Sequence, residues 1–133
     1  MASLVQKRFK SYVDHSKHAI EFFGLYDFEY EFSIDDSGQE QFRASTSWHN
    51  TFNDVIGSAR QFTIEVSKDF LLETADDGEI RMAAWHEIME SMFYRLSDMA
   101  TNTKYVVTED DVSNELHRII RILENRLLPL VLE

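Results

Sequence analysis

The order of apolar and polar positions divides the chain into a helical start, a strand-forming middle and a helical second half. Apolar residues recur at three- and four-residue steps over 4–23, which predicts an amphipathic helix that ends at Gly24. Every second side chain is then apolar or weakly polar over 26–34, 41–48 and 61–66. This alternation predicts three strands with one covered face, and the turn residues at 35–38 predict a hairpin between the first two.

The helical period returns after about residue 70. An apolar stripe from Trp85 to Met99, preceded by a capping-box pattern at Asp76, predicts a helix over 79–100. Thr108 and the three acids after it predict the start of a last helix over 109–128, which Pro129 would end. We therefore expect an α+β domain: an N-terminal helix, a three-stranded sheet, then two packed helices on one sheet face. Residues 49–60 are expected to form a loop.

The composition is typical of a single small domain over residues 1–133, with 44% apolar residues and no cysteine. The absence of cysteine excludes disulfides, thiolate catalysis and cysteine-ligated metal. The apolar runs are too short to span a bilayer, and the N-terminus has no signal-peptide pattern. These features predict a cytoplasmic protein, monomeric or weakly oligomeric, with no membrane partner.

The net charge of −11 narrows the choice of partners further. An acidic chain repels phosphate backbones, so we expect no nucleic-acid partner. The excess acid keeps the domain soluble, or it attracts a basic protein, in the extreme case by imitating DNA. Arg43 lies among the acids that the alternation assigns to the open sheet face, so we expect a dispersed charge pattern rather than an acidic stripe.

The strongest chemical signal lies in the middle of the helix predicted at 79–100, in the string Trp-His-Glu-Ile-Met-Glu. His86 and Glu90 are four residues apart, so both project from one side of the helix. An imidazole and a carboxylate at this spacing can both ligate zinc. Glu87 points about 100° away from His86. In the zinc-peptidase motif H-E-x-x-H, the Glu in this position is the general base.

The layout resembles the small zincin-like metallopeptidases encoded in bacteriophage genomes. In those, a strand precedes an active-site helix that begins with H-E, and a closing helix carries a His followed seven residues later by Glu, as His117 and Glu124 do here. The resemblance implies zinc held by His86, Glu90 and His117, with Glu87 as the base. One ligand departs from the pattern, because Glu90 replaces the second His and lowers the charge of the site.

Several alternatives remain open. Glu115 is a rival third ligand, because it cannot face the same site as His117, which lies about 160° away round the helix. A bound peptide would add to the strand at 61–66, taken as a sheet edge. His15 and His18 indicate an exposed helix face or a surface metal site. The function is accordingly a metal-dependent peptidase, or an inactive acidic phage protein that binds or inhibits a host protein, or a component of the phage particle.

Overall fold

The structure, a computed structural model, describes residues 3–37, 43–48, 61–74, 76–101 and 106–131. It has the predicted α+β architecture. The elements in chain order are α1 (Leu4–Phe23), β1 (Glu29–Asp35), β2 (Ala44–Trp48), β3 (Gln61–Ser67), α2 (Lys68–Glu73), α3 (Asp77–Met92), α4 (Tyr94–Thr101) and α5 (Glu109–Val131). The loop expected at 49–60 lies outside the described residues.

Helix α1 begins and ends where the sequence predicts. Ser3 caps its N-terminus in a capping box with Gln6, because the Ser3 side chain accepts from the Gln6 amide and the Gln6 side chain accepts from the Ser3 amide. At the other end Gly24 adopts a left-handed conformation with φ 68°, which allows its amide to bond the last carbonyls. The stop at Gly24 is a local signal, which is why the sequence alone predicts it.

The strand order differs from the predicted hairpin. The sheet has the order β1-β3-β2, with β1 parallel and β2 antiparallel to β3. The hairpin prediction is therefore wrong for the described strands, because β3 lies between the two strands that were expected to pair. The central place suits β3, since Phe62, Ile64 and Val66 all have no exposed surface. The prediction that a peptide adds to 61–66 is also wrong, because both edges of β3 are already paired.

Helices α1 and α3 cover the apolar face of the sheet. Tyr12 and Ala19 from α1 meet Ile64 and Val66 from β3 and Ile88 from α3 in one core. The expected helix over 79–100 is interrupted at Phe93, where α3 ends before α4 begins. Helix α5 contacts α4 and α1. The helix that packs most closely with α3 is therefore α1 rather than α5, contrary to the expected pairing of the last two helices.

The open face of the sheet is acidic, and Arg43 is not part of it. Glu29, Glu31 and Glu65 lie on this face. Arg43, expected among them, places its guanidinium carbon 5.6 Å from the centre of the Phe70 ring instead. The expected interruption of the acids by Arg43 is thus wrong, because the backbone at Arg43 precedes β2 and its side chain turns toward α2.

Helix α5 continues past its predicted end. Pro129 lies inside the helix, which runs to Val131. The proline ring removes only one backbone hydrogen bond, and the surrounding turn is exposed, so water can satisfy the freed carbonyl. None of the helices in the described ranges is both long and apolar enough to cross a membrane.

Candidate metal centre

Three donor groups come together on one side of α3. A nitrogen of His86 and carboxylate oxygens of Glu87 and Glu90 all lie within 4.8 Å of one another. His86 and Glu90 are already in contact, with 3.0 Å between His86 Nε2 and Glu90 Oε1, as the four-residue spacing predicts. His86 and Glu90 are exposed, whereas Glu87 is buried, with 5% of its surface exposed. The group therefore has two outer donors and one inner donor.

The inner donor, Glu87, is held by the sheet. Thr46 Oγ1 lies 2.5 Å from Glu87 Oε2 and 3.3 Å from the Glu87 main-chain carbonyl oxygen. Burial raises the pKa of Glu87 to about 7; the Thr46 hydrogen bond opposes this rise, and the nearby Glu90 adds to it. The Thr46 hydroxyl donates to the Glu87 carboxyl, and its longer contact reaches the main-chain carbonyl of the same residue.

The hydroxyl of Tyr12 is a second buried polar group, on α1. Tyr12 has no exposed surface, and its hydroxyl oxygen has no hydrogen-bond partner among the described residues. Burial raises the pKa of Tyr12, and the charges of Glu87 and Glu90 raise it further, which shows that the phenol lies within electrostatic reach of both carboxyls. An unpaired buried hydroxyl costs free energy unless something beside it accepts or donates a hydrogen bond.

A cavity of about 350 Å³ adjoins the cluster between α3 and the start of β2. Its lining consists of His86 and Glu87, of Met82 and Ala83 from the preceding turn, and of Arg43 and Ala44 at the start of β2. The donor cluster is therefore accessible from a concave surface that also carries a cation.

His117 is not brought to this cluster. Within the described ranges, the donors that meet on α3 are His86, Glu87 and Glu90. His117 is exposed on α5, where its Nδ1 lies 2.7 Å from the Ser113 main-chain oxygen. It borders a groove formed by α5 and the segment just before it, which includes Val107 and Leu116. The third donor of the cluster is Glu87, the residue to which the zincin resemblance gives the role of base.

Glu115, the alternative third ligand, instead forms a buried ion-pair network that joins helices. It is buried with 3% of its surface exposed, and Arg118 donates to it at 2.8 and 2.6 Å. Arg95 lies 3.6 Å from its other oxygen. Arg118 also donates to the main-chain oxygen of Met92 at 2.7 Å. Glu115 therefore ties α5 to α4 and to the end of α3.

The first-helix histidines differ in their surroundings. His15 Nε2 lies 2.9 Å from Asp77 Oδ2, and Ser11 Oγ donates to Asp77 Oδ1 at 2.5 Å. These contacts join α1 to the N-terminus of α3. The hydrogen bonds from Ser11 and His15 hold the pKa of Asp77 below its usual range. His18 is exposed, which agrees with the expected helix face.

Three groups that other elements bring near α3 were not identified from the sequence: Thr46, Tyr12 and Arg43. Thr46 and Tyr12 occupy positions on apolar faces, and Arg43 belongs by alternation to the opposite side. One signal was present for Thr46, because it is a polar residue at a position where the alternation predicts an apolar side chain. No local signal distinguishes Tyr12 from the apolar residues that share its helix face.

Comparisons of the chain with protein-family models, with curated proteins and with solved structures give no match.

Proposed function

We propose that this protein binds one divalent metal ion, zinc first among the candidates, at His86, Glu87 and Glu90, and that it uses this centre to hydrolyse peptide bonds. The observation that carries the proposal is the meeting of three donor atoms within 4.8 Å on one side of α3. Tetrahedral zinc with ligand bonds near 2 Å needs donor atoms roughly 3.3 Å apart. The His86 to Glu90 distance of 3.0 Å is already close to that value.

The phenol of Tyr12 is a second polar group that lies within electrostatic reach of Glu87 and Glu90, and it is fully buried without a hydrogen-bond partner among the described residues. A polar species bound at the site could satisfy such a hydroxyl. Three protein donors would also leave one coordination position open, as catalytic zinc sites do. When bound, the ion supplies Lewis acidity, which polarises a carbonyl group and makes water more acidic.

The chain's own residues provide the remaining parts of a hydrolytic site. Thr46 holds the carboxyl of Glu87, the inner ligand, by a hydrogen bond. Arg43, which also lines the cavity, can bind a carbonyl or carboxylate group of the substrate. β2 lies at the edge of the described sheet beside the site, so an extended peptide would pair with β2 rather than with β3.

Metal analysis of protein purified without a histidine tag tests the binding half of the proposal. We expect one zinc per chain in the wild type, and its loss in His86→Ala and Glu90→Gln. His117→Ala is the matched control, because its imidazole lies on α5 away from the cluster, and it should retain zinc. Absence of zinc from the wild type, at metal concentrations well above micromolar, would contradict the proposal.

Hydrolysis of a quenched fluorescent casein tests the catalytic half. Glu87→Gln should lose zinc and reduce the rate by at least about 100-fold, as expected when a ligand of the ion is removed. Zinc retained with the hydrolysis lost would contradict Glu87 as a ligand and make it a general base instead. A wild type that holds zinc without hydrolysis would restrict the function to metal binding. A metal-free protein whose unfolding ignores chelators would favour the alternative, an acidic module that binds a host protein.

A further inference from the structure

Helix α5 carries several large apolar side chains that are exposed and are not buried in the core of the described chain. Five of them are between 42 and 60% exposed: Leu116, Ile120, Leu127, Leu128 and Leu130. In a monomeric protein such residues normally occur singly, and a continuous row marks a contact surface. The row continues into a groove of about 520 Å³ that includes Val107 and Val112.

The row has the spacing of a helix-pairing seam. Leu116, Ile120, Leu123, Leu127 and Leu130 follow one another at steps of four, three, four and three residues. This is the a and d pattern of a coiled coil. At about 100° per residue, Leu116, Ile120 and Leu127 lie within about 40° of one another around the helix. We call the five residues of this repeat the α5 seam.

The domain itself uses a different part of α5. Ile119 is buried with 3% exposed surface, and Ile122 packs against the main core. These two residues lie roughly 60° to 120° round the helix from Leu116. Leu123 stands at the boundary, because it also packs partly against the core. The apolar arc of α5 is therefore wider than the described domain covers, and one half of it stays open.

The charge along α5 favours a second copy of this chain as the occupant. The whole chain has a net charge of −11, so two copies repel over most of their surfaces. Residues 112–131 carry three arginines against two glutamates. Two copies can therefore meet along this stretch without acid-acid repulsion, whereas a strongly basic partner would find its complement on the sheet face instead.

An antiparallel arrangement matches the seam to itself. When Ile120 of one copy lies opposite Leu123 of the other, Leu116 lies opposite Leu127. Every contact then occurs twice, as two-fold symmetry requires. The same register places Leu130 opposite Ser113, at the groove beside Val112, so the projecting C-terminal turns of one copy have an apolar surface to cover. We propose that this protein forms an antiparallel homodimer through the α5 seam.

Sedimentation equilibrium on the full chain tests the association. We expect a reversible dimer, with Ile120→Glu raising its dissociation constant about 100-fold or more, because each dimer would bury the new charge twice. Leu72→Glu is the matched control, since Leu72 is 48% exposed but lies on α2, and it should leave the dimer unchanged. A chain that stays monomeric up to millimolar concentration would overturn the proposal, even if it bound lipid vesicles or another protein through α5.

Disulfide trapping tests the relative orientation of the two α5 helices. Because the chain has no native cysteine, only the introduced cysteines can form cross-links. A mixture of Leu116→Cys and Leu127→Cys chains should form a cross-linked pair on oxidation. Leu116→Cys alone should not, because its two cysteines would lie at opposite ends of the interface. Cross-linking of Leu116→Cys with itself would indicate parallel helices and would contradict the antiparallel dimer. Neither result depends on whether metal binds at His86.

Discussion

The hydroxyl of Thr46 lies 2.5 Å from the carboxyl of Glu87, across the interface between β2 and α3. Thr46 belongs to the covered face of the sheet, paired opposite the fully buried Ile64. An apolar residue there would leave a buried carboxyl without its hydrogen bond. Thr46 in β2 is therefore the hydrogen-bond partner that the buried Glu87 in α3 requires.

Thr46→Val should destabilise the protein by about 1–3 kcal/mol, because valine keeps the shape of threonine but leaves the Glu87 carboxyl unsatisfied. Urea unfolding in the presence of a chelator measures this change. Thr63→Val is the matched control: Thr63 lies on the open face of β3, and its replacement should change the stability by less than about 0.5 kcal/mol. Equal effects of the two substitutions would contradict the role assigned to Thr46.

Glu87 should make the stability of the metal-free protein depend on pH. Its pKa is about 7 in the folded state against 4.5 for an ordinary glutamate, so the folded state binds the proton more tightly. The free energy of unfolding that this tighter proton binding adds is fully present below pH 4.5 and is lost as the pH rises through 7. Between pH 4 and pH 8 the wild type should therefore lose about 3 kcal/mol relative to Glu87→Gln, which cannot ionise.

The measurement for Glu87 is the free energy of unfolding of both proteins at the two pH values, with chelator present. The comparison between variant and wild type cancels the titration of other groups, such as Asp77, whose pKa is lowered and which titrates at more acidic pH. A difference between the two proteins that is the same at pH 4 and pH 8 would contradict the buried placement of Glu87.

Glu115→Gln should cost about 2 kcal/mol, because it leaves the half-buried Arg118 and its neighbour Arg95 without their shared carboxylate. Thermal unfolding by circular dichroism measures the loss. Glu124→Gln on the same helix is exposed and should have little effect. Both variants should bind zinc as the wild type does, and loss of zinc in Glu115→Gln would revive Glu115 as the third ligand.

Gly24→Ala should destabilise the end of α1 by about 1 kcal/mol, because a residue with a β-carbon is strained at φ 68°. The new methyl carbon would also come 2.7 Å from Arg126 Nη2, which must swing away. Gly78→Ala in α3 is the control: the φ of Gly78 is not positive, so this variant should lose less stability than Gly24→Ala, although the new methyl carbon would lie 3.1 Å from Asp76 Oδ1. The denaturant midpoints of the three proteins give the comparison, and an unchanged midpoint for Gly24→Ala would contradict the left-handed cap.

Several features of the fold were predictable because they depend on neighbours in the sequence. The bounds of α1 follow from its apolar period and from Gly24, and the pair formed by His86 and Glu90 follows from the helical period. The pairing of strands was not predictable in this way. The turn residues after β1 suggested a hairpin, yet β3 pairs with both other strands, because the burial of its three apolar residues outweighs the shorter connection.

The candidate site was also predictable only in the part that depends on neighbours in the sequence. Its donors on α3 were identifiable from a six-residue string, and that string also predicted zinc. The partner of Glu87 was not identifiable, because Thr46 is 41 residues away in the chain and reaches α3 only through the antiparallel pairing of β2 with β3. His117 was chosen by resemblance, and the packing of α5 against α4 and α1 leaves it on another surface.

By itself the sequence determined the bounds of α1, the three strands, the apolar face that each strand would bury and the two outer donors of the site. Periodicity, caps and four-residue spacing are properties of a few consecutive residues, so no tertiary contact is needed to read them. The tertiary structure alone decided the strand order, the inward position of Glu87 and the unpaired hydroxyl of Tyr12 beside it. These depend on how segments far apart in the chain share one core, where close packing allows few arrangements.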